Sequence, residues 1–197
     1  MIYSAARKIV LYMQEKNIVD DNDKEIYEYG AQIFLATVIS ISGACLIAIV
    51  LDKFLLGVLF ICVYCSLRSN TGGYHADSFR SCIGIFLIIF TVFIKGADIF
   101  SEYINNMEFV AFFVISNLIL ILLGGVSNLE NPIDVFRKKV MKKRAILILN
   151  SWFIVLMLVL EINRIVSTVI ALAIFLNELF LIVGKIKNER IKKYEEI

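Results

Sequence analysis

The sequence predicts an all-α, polytopic membrane protein with about six transmembrane helices, preceded by an amphipathic N-terminal helix at the membrane interface. Three observations support this fold class. Apolar residues make up 59% of the 197 residues, the mean hydropathy is +0.81, and six long apolar runs contain one charged residue between them. Soluble domains are only about 45–50% apolar. The composition therefore excludes an ordinary soluble domain and favours a chain that crosses a bilayer several times.

The six apolar runs differ in length. A bilayer core about 30 Å thick requires roughly 20 helical residues, with a range of about 17–25. The first, fourth and sixth runs fit this range and the fifth is slightly short. The second and third are shorter still, and they could form a re-entrant pair instead of two full spans. In chain order the runs are 33–51, 54–67, 82–94, 109–126, 145–160 and 165–184.

The distribution of lysine and arginine predicts the orientation. With both termini in the cytoplasm, 17 of the 20 basic residues lie in cytoplasmic segments, and only Lys53, Lys95 and Arg164 lie outside. Cytoplasmic loops of membrane proteins carry such an excess. We therefore expect a cell-membrane protein whose candidate site faces the cytoplasm. We expect one domain over 1–197, with an interfacial region (1–32), transmembrane helices (33–184) and a cytoplasmic tail (185–197).

The first thirty residues contain a candidate interfacial helix. At helical spacing, one face carries apolar side chains, namely Ile2, Ala5, Ile9, Tyr12 and Met13. Such a face suits a helix that lies on the inner leaflet. It equally suits a helix that packs against the cytoplasmic loops of the same protein.

A second polar segment, 127–144, is expected to form a loop, and it combines an Asn131-Pro132 turn signal with a dense basic run. One role for this run is to anchor the segment on anionic lipid. The other is to bind the acidic part of a partner peptide. Its basic residues are Arg137, Lys138, Lys139, Lys142, Lys143 and Arg144.

The segment 68–82, "RSNTGGYHADSFRSC", holds the only histidine of the chain and a cysteine. Cys82 and His75 are the pair that thiolate catalysis requires, because the histidine accepts the thiol proton and returns it to the leaving group. The start of a helix favours the thiolate. Seven residues of continuous helix would separate the pair by about 10 Å, which exceeds hydrogen-bond reach. The backbone must therefore turn between them, and Gly72-Gly73 permits such a turn.

Other interpretations of these residues stay open at this point. A cysteine at a helix start is often a small apolar filler. Cys62, Cys65, His75 and Cys82 could bind a metal, but their spacing matches no compact zinc site. A non-catalytic peptide exporter or scaffold is the second functional class. In that class, polar residues in or beside the spans would line a path for the exported peptide or form hydrogen bonds with neighbouring helices. They are Asn117, Asn150, Asn163, Asn177 and Glu178.

The spacing of the polar segment, R-x3-G-G-x-H-A-x5-C from Arg68 to Cys82, resembles the signature of the accessory gene regulator protein B (AgrB) family. These proteins are membrane endopeptidases of peptide quorum sensing. The resemblance extends to the amphipathic N-terminal region, the acidic patch before the first span and the Asn-Pro that precedes the basic run. It covers essentially the whole chain.

The resemblance implies that His75 and Cys82 are catalytic, and that Arg68, Gly72 and Gly73 shape the site or orient the substrate. The substrate would be an AgrD-like precursor peptide. Family members remove its C-terminal tail through a cysteine thioester, and an internal cysteine or serine then closes a thiolactone or lactone ring. The family also suggests a homodimer in contact with membrane lipid. No metal, organic cofactor or nucleic acid is implied.

Overall fold

The computed structural model describes residues 2–71, 79–124 and 134–195, and nearly all of them are helical. Helices α2 to α7 are each long and apolar enough to cross a membrane, which confirms an all-α, multi-pass membrane protein. A single 3-10 turn, Asp21–Asp23, precedes α2. The helices are α1 (Ile2–Glu15), α2 (Lys24–Val50), α3 (Phe54–Thr71), α4 (Phe79–Tyr103), α5 (Asn106–Leu123), α6 (Val135–Leu160) and α7 (Arg164–Glu195).

The second and third spans are longer than their apolar runs. Helix α3 has 18 residues and α4 has 25. At 1.5 Å per residue these helices are about 27 Å and about 38 Å long. Such lengths favour two full spans over a re-entrant pair.

Three other helices also continue past the apolar segments. Helix α2 begins at Lys24, α6 begins at Val135, and α7 continues to Glu195. The expected boundaries after residues 32 and 184 therefore fall inside continuous helices. The basic run was expected in a loop over 127–144, and this expectation was wrong, because the run forms the first turns of α6. Lysine, arginine and glutamate are good helix formers, so a helix does not end where hydrophobicity ends.

Helix α7 lies at the centre of the bundle. About 72% of its apolar segment is buried, against 33% or less in each of the other five spans. It packs against α3, α4, α5 and α6. Where α6 turns into α7, the Ser167 hydroxyl donates a hydrogen bond to the Leu156 carbonyl at 2.9 Å. A displacement of α7 would therefore alter its packing against four other helices.

A cluster of aromatic side chains joins α3, α4 and α7. Phe60 and Phe90 meet edge to face with ring centres 5.3 Å apart, a geometry that aromatic pairs prefer. Phe93 of α4 contacts Phe175 of α7 at 6.1 Å. This cluster holds together the three helices that carry the candidate site.

One end of the bundle is closed by short turns. The Lys53 ammonium group bonds the Ile94 carbonyl at 3.0 Å and the Asp98 carboxylate at 2.5 Å. The Arg164 guanidinium group donates to the Ile104 carbonyl at 2.7 Å and to the Asn106 side chain at 2.9 Å. The other end, which we call the basic end, contains the ends of α3, α5 and α7 and the starts of α4 and α6.

Helix α1 folds back onto α2. Ala6 and Val10 are fully buried, whereas Ala5, Ile9 and Tyr12 of the predicted apolar face are exposed. The helix therefore packs on α2 through Ala6 and Val10, and the predicted apolar face points away from this contact. Because three apolar side chains of this face are exposed, its expected contact with the inner leaflet stays a prediction. Tyr3 also meets Phe79, the first residue of α4, with ring centres 5.8 Å apart.

Candidate active site

The described residues include two of the five site residues that were predicted within the segment 68–82. Arg68 lies in the last turn of α3, and Cys82 lies in the first turn of α4. Gly72, Gly73 and His75 fall between the described ranges, so their arrangement lies outside the described residues. The structure places the two flanks of the segment at the basic end of the bundle.

The thiol of Cys82 is free and its side chain is half-buried. It lies three residues after Phe79, where α4 begins. The dipole of a helix favours negative charge near its first residues. Cys82 is thus a partly accessible free thiol in the first turn of a helix.

Tyr64 links the helix of Arg68 to the helix of Cys82, and the sequence analysis missed it. Its ring lies 5.1 Å from the ring of Phe86, one turn after Cys82. One signal could have revealed it: Tyr64 precedes Arg68 by four residues and so shares its helical face.

Helix α7 contacts the last turn of α3 at two points. The Arg68 guanidinium carbon lies 5.7 Å from the centre of the Phe180 ring, within cation–π range. The Thr71 hydroxyl donates a hydrogen bond to Asn177 Oδ1 at 3.0 Å, and both side chains are 1% exposed or less. The start of the predicted catalytic segment is thereby attached to the central helix.

The other asparagine side chains in or beside the spans also form hydrogen bonds between or within helices. Asn150 donates to Asn117 Oδ1 at 3.3 Å, and Asn163 accepts a bond from the Val166 backbone N–H at 3.2 Å. Glu178 is buried, and its Oε1 atom has no hydrogen-bond partner among the described residues. Helix–helix bonding thus accounts for Asn117, Asn150 and Asn177 without a polar path.

The described part of the chain contains no group of three or more histidine, cysteine, aspartate or glutamate side chains that could bind a metal ion. Cys62 is exposed on α3, and Cys65 is half-buried. The fourth ligand of the metal alternative, His75, lies outside the described residues. The described ligands therefore give the metal interpretation no support.

The basic run lies at the start of α6. The Lys142 ammonium group donates a hydrogen bond to the Ile121 carbonyl near the end of α5, where a helix dipole favours positive charge. Lys142 is half-buried, and the remaining five side chains are exposed and available to a ligand or to lipid: Arg137, Lys138, Lys139, Lys143 and Arg144.

Comparisons with known proteins agree on one family. The family model of Accessory gene regulator B matches residues 6–182. AgrB-like protein 2 of Clostridium perfringens (strain 13 / Type A) is 28% identical over 163 residues, which cover 79% of this chain and 75% of the relative. An AgrB-like protein of Clostridium perfringens (strain SM101 / Type A) is 29% identical over 144 residues, which cover 69% and 66%. No solved structure matches the chain at a significant level. Because the family model matches nearly all of its length, and because the described part of the chain has six helices long and apolar enough to cross a membrane, the chain belongs to the AgrB family of autoinducer-processing membrane proteins.

Proposed function

We propose that this AgrB family member is a membrane cysteine endopeptidase that removes the C-terminal tail of an AgrD-like precursor and promotes its cyclisation. One observation carries the proposal. Cys82, a half-buried free thiol at a helix start, lies one turn before Phe86, whose ring contacts Tyr64 one turn before Arg68. Arg68 and Cys82 flank the segment that holds the only histidine of the chain.

The first half of the reaction forms a thioester. His75 accepts the thiol proton of Cys82, and the thiolate attacks the carbonyl carbon at the tail junction. The C–N bond breaks, the leaving amine takes the proton from His75, and the tail departs. Arg68 or backbone N–H groups near Cys82 would stabilise the oxyanion. Because an amide is more stable than a thioester, departure of the tail must pull this step forward.

The second half closes the ring. A thiol or hydroxyl of the bound peptide attacks the thioester carbonyl, the C–S bond breaks, and Cys82 regains its proton. Water competes at this stage, so exclusion of water favours cyclisation over hydrolysis. The half-buried position of Cys82 at the end of a membrane helix supports such exclusion.

We further propose that the chain forms one functional domain over 1–197, with both termini and the site in the cytoplasm. The excess of basic residues at the ends of the spans supports this orientation. A homodimer follows from the family alone, and no metal or organic cofactor is required by the reaction.

The test is to trap the acyl-enzyme. Purified wild-type protein in lipid vesicles is mixed with a candidate precursor and analysed by intact-protein mass spectrometry. We expect an adduct with the mass of the tail-less peptide, removed by hydroxylamine and mapped to Cys82 after digestion. A cleaved precursor without this adduct, or an adduct on another residue, would reject the mechanism.

Replacing His75 with alanine is expected to slow adduct formation by about 10²–10⁴-fold, the usual contribution of a positioned acid–base group. Precursor binding should not change, because His75 acts on the proton of Cys82. Quenched-flow mass spectrometry measures the rate, with Tyr74→Phe as the control from the same segment. A wild-type rate in His75→Ala would show that another group accepts the proton.

The basic run is proposed to bind the charged tail of the precursor. Replacing its five exposed basic residues with glutamine should raise KM by about tenfold or more, since each exposed ion pair contributes about 0.2–1 kcal/mol. Lys142 is retained because it bonds α5. The KM of the wild type should rise with salt, and that of the variant should not. If the effect disappears in vesicles without anionic lipid, the run anchors the protein to lipid instead.

A further inference from the structure

We propose that Asn177 of α7 is a positioning residue for the reaction, because it fixes the last turn of α3 and with it Arg68. This inference rests on the proposed function, since it assigns a role in the chemistry of Cys82. Asn177 does not touch Cys82 in the described structure. It acts through the Thr71 hydroxyl, which bonds its side chain oxygen at 3.0 Å.

Two contacts fix both the position and the rotation of the last turn of α3. Thr71 bonds Asn177, and Arg68 lies over the Phe180 ring at 5.7 Å. Thr71 and Arg68 are three residues apart, as are Asn177 and Phe180, so each pair shares one face of its helix. A single contact would allow α3 to rotate about it, whereas two contacts one turn apart do not.

The same turn is connected to the helix of Cys82. Tyr64, one turn before Arg68, contacts Phe180 at 6.3 Å and Phe86 of α4 at 5.1 Å. Helix α7 therefore sets the last turn of α3, and α3 in turn contacts Phe86, one turn after Cys82 on α4. The distance between the guanidinium group and the thiol depends on this chain of contacts.

The Asn177–Thr71 bond suits this role because it is buried between apolar helices. Both side chains are 1% exposed or less, so water does not replace the bond when one partner is removed. The last turn of α3 would then move relative to α7, and Arg68 would move with it. A misplacement of about 1 Å can slow a reaction by about 10²-fold.

The test compares isosteric variants in the full-length protein. Thr71→Val replaces only the hydroxyl with a methyl group, Asn177→Leu replaces only the amide, and Thr71→Ser retains the hydroxyl. Asn150→Leu is the matched control, because it breaks a second asparagine bond, to Asn117 on α5. Rates of adduct formation, KM and melting temperature are measured for each variant and for the double variant Thr71→Val/Asn177→Leu.

We expect Thr71→Val and Asn177→Leu to lower kcat by about 10–100-fold, with KM within about twofold of the wild type. The double variant should be no slower than the slower single variant, because both remove one bond. Thr71→Ser and Asn150→Leu should retain the wild-type kcat. The acid limb of the rate–pH profile should move to higher pH in the two slow variants, since a displaced Arg68 supports the thiolate less. A purely structural loss would not move this limb.

The failures of the two proposals are distinguishable. If Cys82→Ser still cleaves the precursor, the proposed function is rejected and the positioning role with it. If Cys82 is essential but Thr71→Val and Asn177→Leu retain the wild-type kcat and pH profile, only the positioning role is rejected. An equal loss of kcat in Asn150→Leu would also reject it, because any broken helix–helix bond would then have the same effect.

Discussion

Replacing Cys82 with serine is expected to abolish adduct formation and to slow tail release by at least about 10³-fold. Serine has nearly the same shape as cysteine, so the packing at the start of α4 should be unchanged. Its hydroxyl is a far weaker nucleophile at neutral pH than a thiol, part of which is ionised. Liquid chromatography with mass spectrometry of the released tail, in vesicles that contain the purified variant, measures the loss.

Serine at Cys45, Cys62 and Cys65 provides matched controls for the Cys82 variant. All four thiols are free, but only Cys82 lies at a helix start beside the predicted segment. The three controls should release the tail at the wild-type rate. If instead Cys82→Ser releases the tail normally, or if no protein cleaves a precursor that it binds, the non-catalytic exporter or scaffold becomes the better interpretation. Uptake of labelled peptide into vesicles would then test that class directly.

Replacing Gly57 with alanine or valine is expected to lower the stability of the protein by forcing α2 and α3 apart. A Cβ atom at Gly57 would lie 2.4 Å from the Cβ atom of Ala48 and 3.3 Å from Phe90 Cζ. Because two helix backbones approach each other here, neither can yield without separating α2 from α3. Overpacking of this kind costs about 1–3 kcal/mol, and valine should cost more than alanine.

The single tryptophan, Trp152, provides a fluorescence signal for thermal unfolding in detergent. Gly30→Ala is the control, because nothing lies within 4 Å of its added Cβ atom. Alanine also favours a helix over glycine by about 0.5–1 kcal/mol, so Gly30→Ala should melt no lower than the wild type. The double variant Gly57→Ala/Ala48→Gly should recover much of the lost stability. If Gly57→Ala melts like the wild type, the two helices do not pack this closely.

The positions of the spans and of Cys82 were predictable because the bilayer acts on each segment separately. In a bilayer the backbone must satisfy its own hydrogen bonds, so a long uncharged run becomes a helix whatever its neighbours are. The run that begins at Cys82 required a helix start near that residue, and α4 begins at Phe79. Family membership was predictable as well, because the spacing from Arg68 to Cys82 is a property of the sequence alone.

The ends of the helices were less predictable because hydropathy reports only the membrane-embedded part of a helix. Outside the bilayer core, lysine and arginine continue a helix readily. The basic run therefore lies on α6, although its charge suggested a loop. For α1, the apolar pattern of the sequence did not indicate that Ala6 and Val10 are the side chains buried where the helix packs on α2.

The sequence by itself determined the six apolar runs, the family and the residues between which the reaction is proposed to occur. Tertiary structure alone decided which spans meet around them. Because the apolar runs are hydrophobic on all sides, no periodicity marks the face that contacts another helix, and lipid is as apolar as a neighbouring helix. Shape and a few buried hydrogen bonds therefore select the partners. For this reason α7 became the central helix, and Tyr64, Asn177 and Phe180 became neighbours of the candidate site.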